Sequence, residues 1–279
     1  MAQEKIILRK LKTQYHNPVE YYASVGEQSI FLNPFIGQPI NLSYTGNIYC
    51  IQCGRKTKTS FQQGFCFPCF RRLQECGLCV IHPERCRVEE GCPKDDWAHT
   101  QCDASHIVYL ANGSGLKVGI TRESQVPTRW IDQGAAQAIP LFHTTNRYQA
   151  GVIEVLLKKY VSDRTDWRVM LRGEAPLLDL ISLREELLLK VEEELDPIIA
   201  HWNSGDIEPV NTNSVTFLSY PVLEYPHKIS TLSLDQQSVI QGRLLGIKGQ
   251  YLILDTGVIN IRKFSGYEVE FVMYGAAHK

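Results

Sequence analysis

The spacing of apolar and polar residues divides the 279-residue chain into segments of different structural type. Residues 3–48 contain short alternating runs that are broken by glycine and by Asn-Pro, and residues 230–274 show the same pattern. Such runs predict strands that are joined by tight turns, including hairpin turns at residues 247–250 and 255–257. We expect the two segments to meet in one small β-barrel or sandwich.

A long amphipathic helix is predicted over residues 181–202, since apolar residues recur there at helical spacing. Ser182 and Glu185 predict a capping box at its start, and Pro197 predicts an end or a kink. Residues 203–229 are rich in Pro, Asn and Ser, and this composition indicates a linker.

Residues 106–167 have the pattern of a β-β-α-β-α unit. The runs HIVYL and LKVGIT predict a hairpin around the turn at residues 112–115, and AIPLFHTT predicts a third strand. The whole chain is therefore expected to be α+β. Its predicted divisions are a β-rich segment (1–48), a Cys-rich module (49–105), a central unit with its C-terminal helix (106–202), a linker (203–229) and a β-rich domain (230–279).

The composition is that of a soluble globular protein, with 44% hydrophobic residues and 21% charged residues. A net charge of −1 excludes a uniformly basic surface, so any site for a polyanion has to be a local patch. There is no apolar run long enough to span a membrane, and the first residues lack the pattern of a secretion signal. We therefore expect a cytoplasmic protein, in which cysteines bind metals more often than they form disulfides.

All nine cysteines lie between residues 50 and 102. The first four form the pattern CIQC, twelve residues, CFPC; they are Cys50, Cys53, Cys66 and Cys69. Each C-x-x-C pair places two thiolates on one side of a tight turn, and two such turns supply the four sulfur ligands that suit Zn(II). The sequence therefore predicts a zinc site.

A second cluster of cysteines follows the first, with three histidines nearby. Its members are Cys76, Cys79, Cys86, Cys92 and Cys102, with His82, His99 and His106. Four of these cysteines could bind a second metal ion, with Cys102 or a histidine replacing one of them. An iron–sulfur cluster is the alternative, because thiolates at such spacing also suit it.

Basic and aromatic side chains alternate within the first cysteine pattern. They are Arg55, Lys56, Lys58, Arg71 and Arg72, together with Phe61, Phe65, Phe67 and Phe70. This combination is typical of surfaces that bind nucleic acid. Alternatively, the phenylalanines form the small core of a zinc ribbon and the cations are simply solvated; for the phenylalanines we favour this second interpretation.

The central unit resembles the GIY-YIG nuclease fold over about 60 residues. Ile107-Val108-Tyr109 and Lys117-Val118-Gly119 occupy the places of the two short motifs, with Ile107 and Lys117 where that family has glycine and tyrosine. Arg129 matches the helix arginine, and Glu154 matches the metal-binding glutamate. With its two cysteine clusters and β-rich tail, the whole chain is similar to an uncharacterised bacterial family.

The resemblance implies metal-dependent hydrolysis of phosphodiester bonds. Glu154 would bind Mg(II) or Mn(II), and Arg129 would bind the scissile phosphate. Tyr109 would position or deprotonate the attacking water, and Lys117 would lower the pKa of that tyrosine. Arg122 and His106 are secondary candidates.

Three functions are consistent with the sequence. The first is a nuclease that acts on DNA or RNA and holds its substrate with the zinc module. The second is a non-catalytic nucleic-acid-binding protein on a nuclease-derived fold, and the third is a metal-stabilised module that binds protein partners.

Overall fold

The computed structural model describes residues 2–87 and 96–274, and it has the mixed α+β architecture that the sequence predicts. Within these residues the strands are β1 (Ala2–Ile7), β2 (Lys12–Gln14), β3 (Glu20–Val25), β4 (Gln28–Phe31), β5 (Pro39–Tyr49), β6 (Lys56–Thr57), β7 (His106–Asn112), β8 (Leu116–Arg122), β9 (Gln137–Thr144), β10 (Ile207–Pro209), β11 (Thr216–Phe217), β12 (Val239–Lys248), β13 (Tyr251–Leu254), β14 (Gly257–Asn260) and β15 (Tyr267–Met273). The α-helices are α1 (Phe67–Arg72), α2 (Leu78–Ile81), α3 (Asp96–Cys102), α4 (Thr128–Asp132), α5 (Arg147–Leu157), α6 (Trp167–Leu171) and α7 (Leu180–Ala200).

Strands from the two β-rich segments form one antiparallel sheet, which we call the terminal sheet. Its strand order is β1-β15-β5-β12-β13-β14, and β6 pairs with β5. Ser43 of β5 pairs with Glu270 of β15 on one side and with Val239 of β12 on the other. The predicted meeting of the two segments is therefore confirmed. Strands β2, β3 and β4 form a separate three-stranded sheet.

The predicted hairpin turns in the second β-rich segment are also present. Lys248 pairs with Tyr251 where β12 turns into β13, and Leu254 pairs with Gly257 where β13 turns into β14. Gly249 adopts φ +60° in the first of these turns, a conformation that glycine reaches without strain.

The central unit has the predicted order of elements, β7-β8-α4-β9-α5, and its sheet has the strand order β10-β9-β7-β8. Strand β7 is buried on both faces. Val108 and Leu110 pack into a core with α5 and α7, whereas Tyr109 and Ala111 belong to the core that the terminal sheet shares. A strand that is covered on both faces is mainly apolar, which explains the continuous run from Ile107 to Leu110.

The predicted linker lies along the central sheet. Strands β10 and β11 within it both pair with β9, and Ile207 and Leu218 are buried. The hydroxyl of Tyr220 donates to the carbonyl oxygen of Ala135 at 2.7 Å. These pairings involve only two or three residues, so they leave no alternating pattern in the sequence.

Helix α7 begins one residue earlier than predicted, and the predicted capping box is wrong. The N-cap is Asp179, whose carboxylate accepts a hydrogen bond from the backbone N–H of Ser182 at 3.1 Å. Pro197 lies inside the helix, which continues to Ala200.

Among the residues that the structure describes, no helix combines the length and the apolar character that a membrane crossing requires.

Candidate metal centre and basic groove

Four cysteines converge where β5 ends and α1 begins. Cys50 and Cys53 lie in the turn after β5, Cys66 is the N-cap residue of α1, and Cys69 lies in the first turn of that helix. Gly54 closes the first turn with φ +70°, and its N–H donates to the carbonyl oxygen of Cys50 at 2.9 Å. All four sulfur atoms lie within 4.8 Å of one another.

These distances suit a tetrahedral metal ion. A Zn–S bond of about 2.3 Å places the sulfur atoms of a tetrahedron about 3.8 Å apart, and the sulfur atoms of Cys53 and Cys66 are separated by 3.8 Å. Burial, together with the neighbouring sulfur atoms, raises the pKa of Cys69 to about 12. The four thiols therefore do not all ionise at neutral pH unless a cation compensates their charge. The four cysteines can hold a metal ion, as their spacing predicts, and the donor set favours zinc.

The phenylalanines of the module mainly form its core. Phe65 is buried with three of the sulfur atoms, and Phe70 packs against them. The ring of Phe61 lies 5.4 Å from that of Phe67 and 5.7 Å from that of Phe70. This supports the structural interpretation of the aromatic residues. The basic residues Arg55, Lys56, Lys58, Arg71 and Arg72 are all exposed.

The second cysteine cluster is looser in the part of the chain that the structure describes. Cys92 lies outside the described residues. Burial raises the pKa of Cys102, Arg147 opposes this shift, and the charges of Cys86 and Cys79 add to it, so each of these two thiols lies near Cys102. Within residues 2–87 and 96–274, the first four cysteines are the only group of three or more His, Cys, Asp or Glu residues whose ligand atoms lie within 4.8 Å of one another. A second metal ion or an iron–sulfur cluster stays a prediction.

The three histidines have other neighbours. The Nδ1 atoms of His82 and His99 lie 3.3 and 3.0 Å from carboxylate oxygens. His106 is buried, its Nδ1 lies 2.7 Å from the carbonyl oxygen of Ala104, and burial lowers its pKa to about 4. This secondary candidate is therefore neutral at physiological pH.

A groove with mainly basic side chains lies where the Cys-rich module, the central unit and the terminal sheet meet; we call it the basic groove. Its volume is about 680 Å³, and its charged lining residues are Lys10, Arg122, Arg129, Arg147, Arg262, Glu75 and Asp132. Asp132 is already ion-paired with Lys10. An adjoining cavity of about 370 Å³ shares Lys10 and Arg262 with the groove and adds Arg9 and Lys12. The cationic surface is therefore continuous over both.

Tyr109, Lys117, Arg129 and Glu154 come together in the central unit, and we call them the polar cluster. They lie on β7, β8, α4 and α5 respectively. The charges of Arg129 and Glu154 both act on Tyr109 and on Lys117, which places the four side chains in one neighbourhood. Arg129 is half-buried and lines the basic groove, whereas Tyr109, Lys117 and Glu154 are 0%, 5% and 9% exposed and do not line it.

Each buried member of the polar cluster has a partner within the chain. The Tyr109 hydroxyl donates to Oε1 of Gln133 at 2.8 Å, and Nζ of Lys117 donates to Oγ1 of Thr165 at 2.7 Å. An oxygen of Glu154 lies 3.4 Å from Nζ of Lys158. The spacing of four residues between Glu154 and Lys158 is a sequence signal for this ion pair. No local sequence pattern identifies Gln133 as the partner of Tyr109 or Thr165 as the partner of Lys117.

Gly119 is required by the tyrosine that lies across the hairpin. Its partner in the β7–β8 ladder is Tyr109, and a Cβ atom at position 119 would lie 2.7 Å from the tyrosine hydroxyl. A glycine in the second motif therefore makes room for the phenol ring.

Burial dominates the electrostatics of the polar cluster. It raises the pKa of Tyr109, although Arg129 acts in the opposite direction, so the phenol keeps its proton and serves as a donor. Burial, and next the charge of Arg129, lower the pKa of Lys117 to about 7. Burial also raises the pKa of Glu154, and Lys158 opposes that shift. At neutral pH, Lys117 is thus better suited than Tyr109 to accept a proton.

Residues 37–269 match the family model described as "Protein of unknown function (DUF2797)", and the chain belongs to that family. The expectation of an uncharacterised family is confirmed in this form. No curated protein and no solved structure significantly matches the chain.

The first metal site predicts a defined loss of zinc. Cys66→Ser should remove one equivalent of bound zinc relative to the wild type, measured by elemental analysis of the purified protein, because three thiolates hold the ion more weakly than four. The double variant Cys66→Ser, Cys69→Ser should lose the same single equivalent, since both sulfur atoms belong to one site. A full zinc content in Cys66→Ser would contradict the assignment.

The buried Lys117 predicts a pH-dependent stability. Because its pKa falls from 10.5 to about 7 on folding, the unfolded chain binds more protons above pH 7, and stability rises with pH there. Relative to Lys117→Met, the wild type should therefore gain about 3 kcal/mol in free energy of unfolding between pH 6 and pH 9. Denaturant titrations measure this difference. Lys228→Met, which replaces an exposed lysine, is the matched control, and its difference from the wild type in free energy of unfolding should not change with pH. If the difference between Lys117→Met and the wild type is also independent of pH, the lowered pKa of Lys117 is refuted.

Proposed function

We propose that the protein binds nucleic acid through the basic groove, with the metal-loaded Cys-rich module as one wall. The observation that supports this most strongly is the concentration of cations. Five basic side chains and two acidic ones line the groove, although the chain as a whole has a formal charge of −1. Local excess charge of this kind attracts a polyanion to one surface.

The chemistry of the lining residues suits a nucleic-acid backbone. Four of the five cations are arginines, whose planar donor forks match phosphate oxygens. The continuation past Arg9 and Lys12 gives the groove the extended form that a strand of several phosphates requires. Trp97, which also lines the groove, offers an aromatic face for a base.

The similarity of the central unit to the GIY-YIG fold adds to this proposal. The order β7-β8-α4-β9-α5 and the antiparallel pairing of β7 with β8 and β9 are compatible with that fold. Because the resemblance rests on short motifs, it supports a nucleic-acid ligand without establishing an activity.

The groove predicts binding that depends on salt and on particular arginines. The protein should bind fluorescently labelled single-stranded or duplex DNA or RNA, measured by fluorescence anisotropy, with an affinity that falls steeply as salt is added. Arg122→Ala should weaken binding and reduce the slope of log K against log salt by about 1, because one phosphate contact is lost.

Arg243→Ala is the matched control, because Arg243 is exposed and lies outside the groove. This substitution changes the net charge by the same amount as Arg122→Ala. Equal effects of the two substitutions would indicate attraction by net charge alone. An absence of binding at low salt for all four nucleic acids would overturn the proposal and favour a module that binds proteins.

A metal-dependent nuclease is the second candidate, because Arg129 belongs to both the basic groove and the polar cluster. A phosphate bound to Arg129 would lie beside Tyr109 and Lys117. In this arrangement Arg129 would stabilise the charge of the phosphoryl oxygens, the protonated Tyr109 would donate a hydrogen bond, and Lys117 would accept the proton of the attacking water. A divalent cation at Glu154 would neutralise the leaving oxygen.

Two features of Glu154 bear on this candidate. It is 9% exposed, and Lys158, which also contacts Asp163 at 3.1 Å, is its partner. A cation would have to displace the Lys158 ammonium from the carboxylate. The non-catalytic function is therefore the one that the geometry favours.

The nuclease candidate predicts cleavage that requires Glu154. Incubation of mixed single-stranded, duplex and branched nucleic acids with Mg(II) or Mn(II) should yield products on a denaturing gel, and Glu154→Gln should reduce the rate by about 10²–10³ while leaving binding nearly unchanged. Glu192→Gln, on an exposed helix face, is the control. Absence of wild-type cleavage, or parallel loss of cleavage and binding in Glu154→Gln, would exclude metal catalysis at this residue.

A further inference from the structure

A second cavity, with no lining residue in common with the basic groove, lies beside the turn that follows α4. Its volume is about 560 Å³, within the range of small-molecule sites. Aromatic rings of Tyr15, Phe217, Tyr220 and Tyr225 form much of its wall. We call it the tyrosine cavity.

The rim of the tyrosine cavity exposes large apolar side chains. Tyr15 is 53% exposed, Phe217 is 55% exposed and Leu177 is 70% exposed. The Tyr15 hydroxyl donates to the carbonyl oxygen of Phe217 at 3.2 Å, which joins the two sides of the rim. Such side chains around a concave surface are typical of a ligand site.

A buried lysine forms part of the wall. Lys248 is 1% exposed, and its Nζ donates to the carbonyl oxygen of Gly173 at 2.9 Å. The ammonium also lies 5.4 Å from the ring centroid of Tyr220 and 5.1 Å from that of Tyr225. An ammonium has three donors, and only the Gly173 carbonyl provides it with a hydrogen-bond acceptor among the contacts of the described residues.

The charges around the tyrosine cavity favour a ligand with one negative charge; the lining residue His16 is exposed and lies 4.0 Å from the carboxylate of Glu20. Lys248 is the buried cation of the wall, and its desolvation lowers its pKa to about 8. Glu174, an exposed acid, also lines the cavity and acts electrostatically on both Lys248 and Tyr225. A second negative charge on the ligand would face this carboxylate without a buried cation to compensate it.

We infer that the tyrosine cavity binds a small aromatic monocarboxylate, whose ring packs among the tyrosines and Phe217 and whose carboxylate accepts hydrogen bonds from Lys248. The aromatic wall provides stacking area, and the one ammonium fixes the orientation of the ring. This site is independent of the proposed nucleic-acid function, since the two cavities are lined by different residues.

The test uses two probes that differ in charge. Binding of 2-naphthoate and of the neutral 2-naphthamide to the full-length protein is measured by isothermal titration calorimetry. The carboxylate should bind at least about tenfold more tightly than the amide, as expected for a hydrogen bond to a charged group. Lys248→Met should remove this preference and leave amide binding unchanged, whereas Lys228→Met, which alters an exposed lysine, should keep it.

Phe217→Ala provides a second variant that alters an exposed side chain and preserves the buried wall. It should weaken both probes by a similar factor, because it removes ring contacts and leaves the ammonium in place. The inference is overturned if neither probe saturates the wild type, if the amide binds as tightly as the carboxylate, or if phenyl phosphate, a dianion, binds more tightly than benzoate.

Discussion

The pairing of β5 with strands from the distant end of the chain is the interaction on which the other features depend. The last residue of β5, Tyr49, donates its N–H to the carbonyl oxygen of Gly266 at 2.7 Å. Cys50, the first of the four clustered cysteines, follows directly. The same sheet places Lys10, which follows β1, and Arg262, which precedes β15, in the basic groove. The metal centre and the groove therefore both take their position from the terminal sheet.

Arg129 connects two environments with opposite properties. The basic groove is a surface cavity, although burial already lowers the pKa of Arg122, Arg147 and Arg262 in its wall. The polar cluster is nearly closed: Lys158 pairs with the Glu154 carboxylate, and the Thr165 hydroxyl accepts a hydrogen bond from Lys117. A guanidinium suits this boundary because it is weakly hydrated and stays charged when half-buried. Movement of Arg129 towards a phosphate would alter the charge that Lys117 and Tyr109 experience.

Local patterns in the sequence predicted the parts of the structure that form from neighbouring residues. The cysteine spacing identified four sulfur atoms that converge, and the alternating runs identified the paired chain ends. The same rules failed where the contacting residues are far apart in the sequence or where a paired segment has only two or three residues. Lys248 lies in a predicted hairpin turn, which favours exposure, yet it is buried because the segment around Tyr220 and Tyr225 covers it. The basic groove combines residues from both ends of the chain, and no short window contains them. Asp179 and Ser182 both fit the template of an N-cap, and only the packing of α7 distinguishes them.

The long separation between paired strands has a consequence for synthesis on the ribosome. The four cysteines between residues 50 and 69 are complete early, so metal can bind while most of the chain is still untranslated. Strand β5 must wait for β12 and β15, some two hundred residues later, and until then only its last two residues can pair, with the short strand β6. An open strand edge is a template for aggregation. A nascent chain of this protein therefore carries a complete set of four clustered cysteines beside a strand that still needs protection.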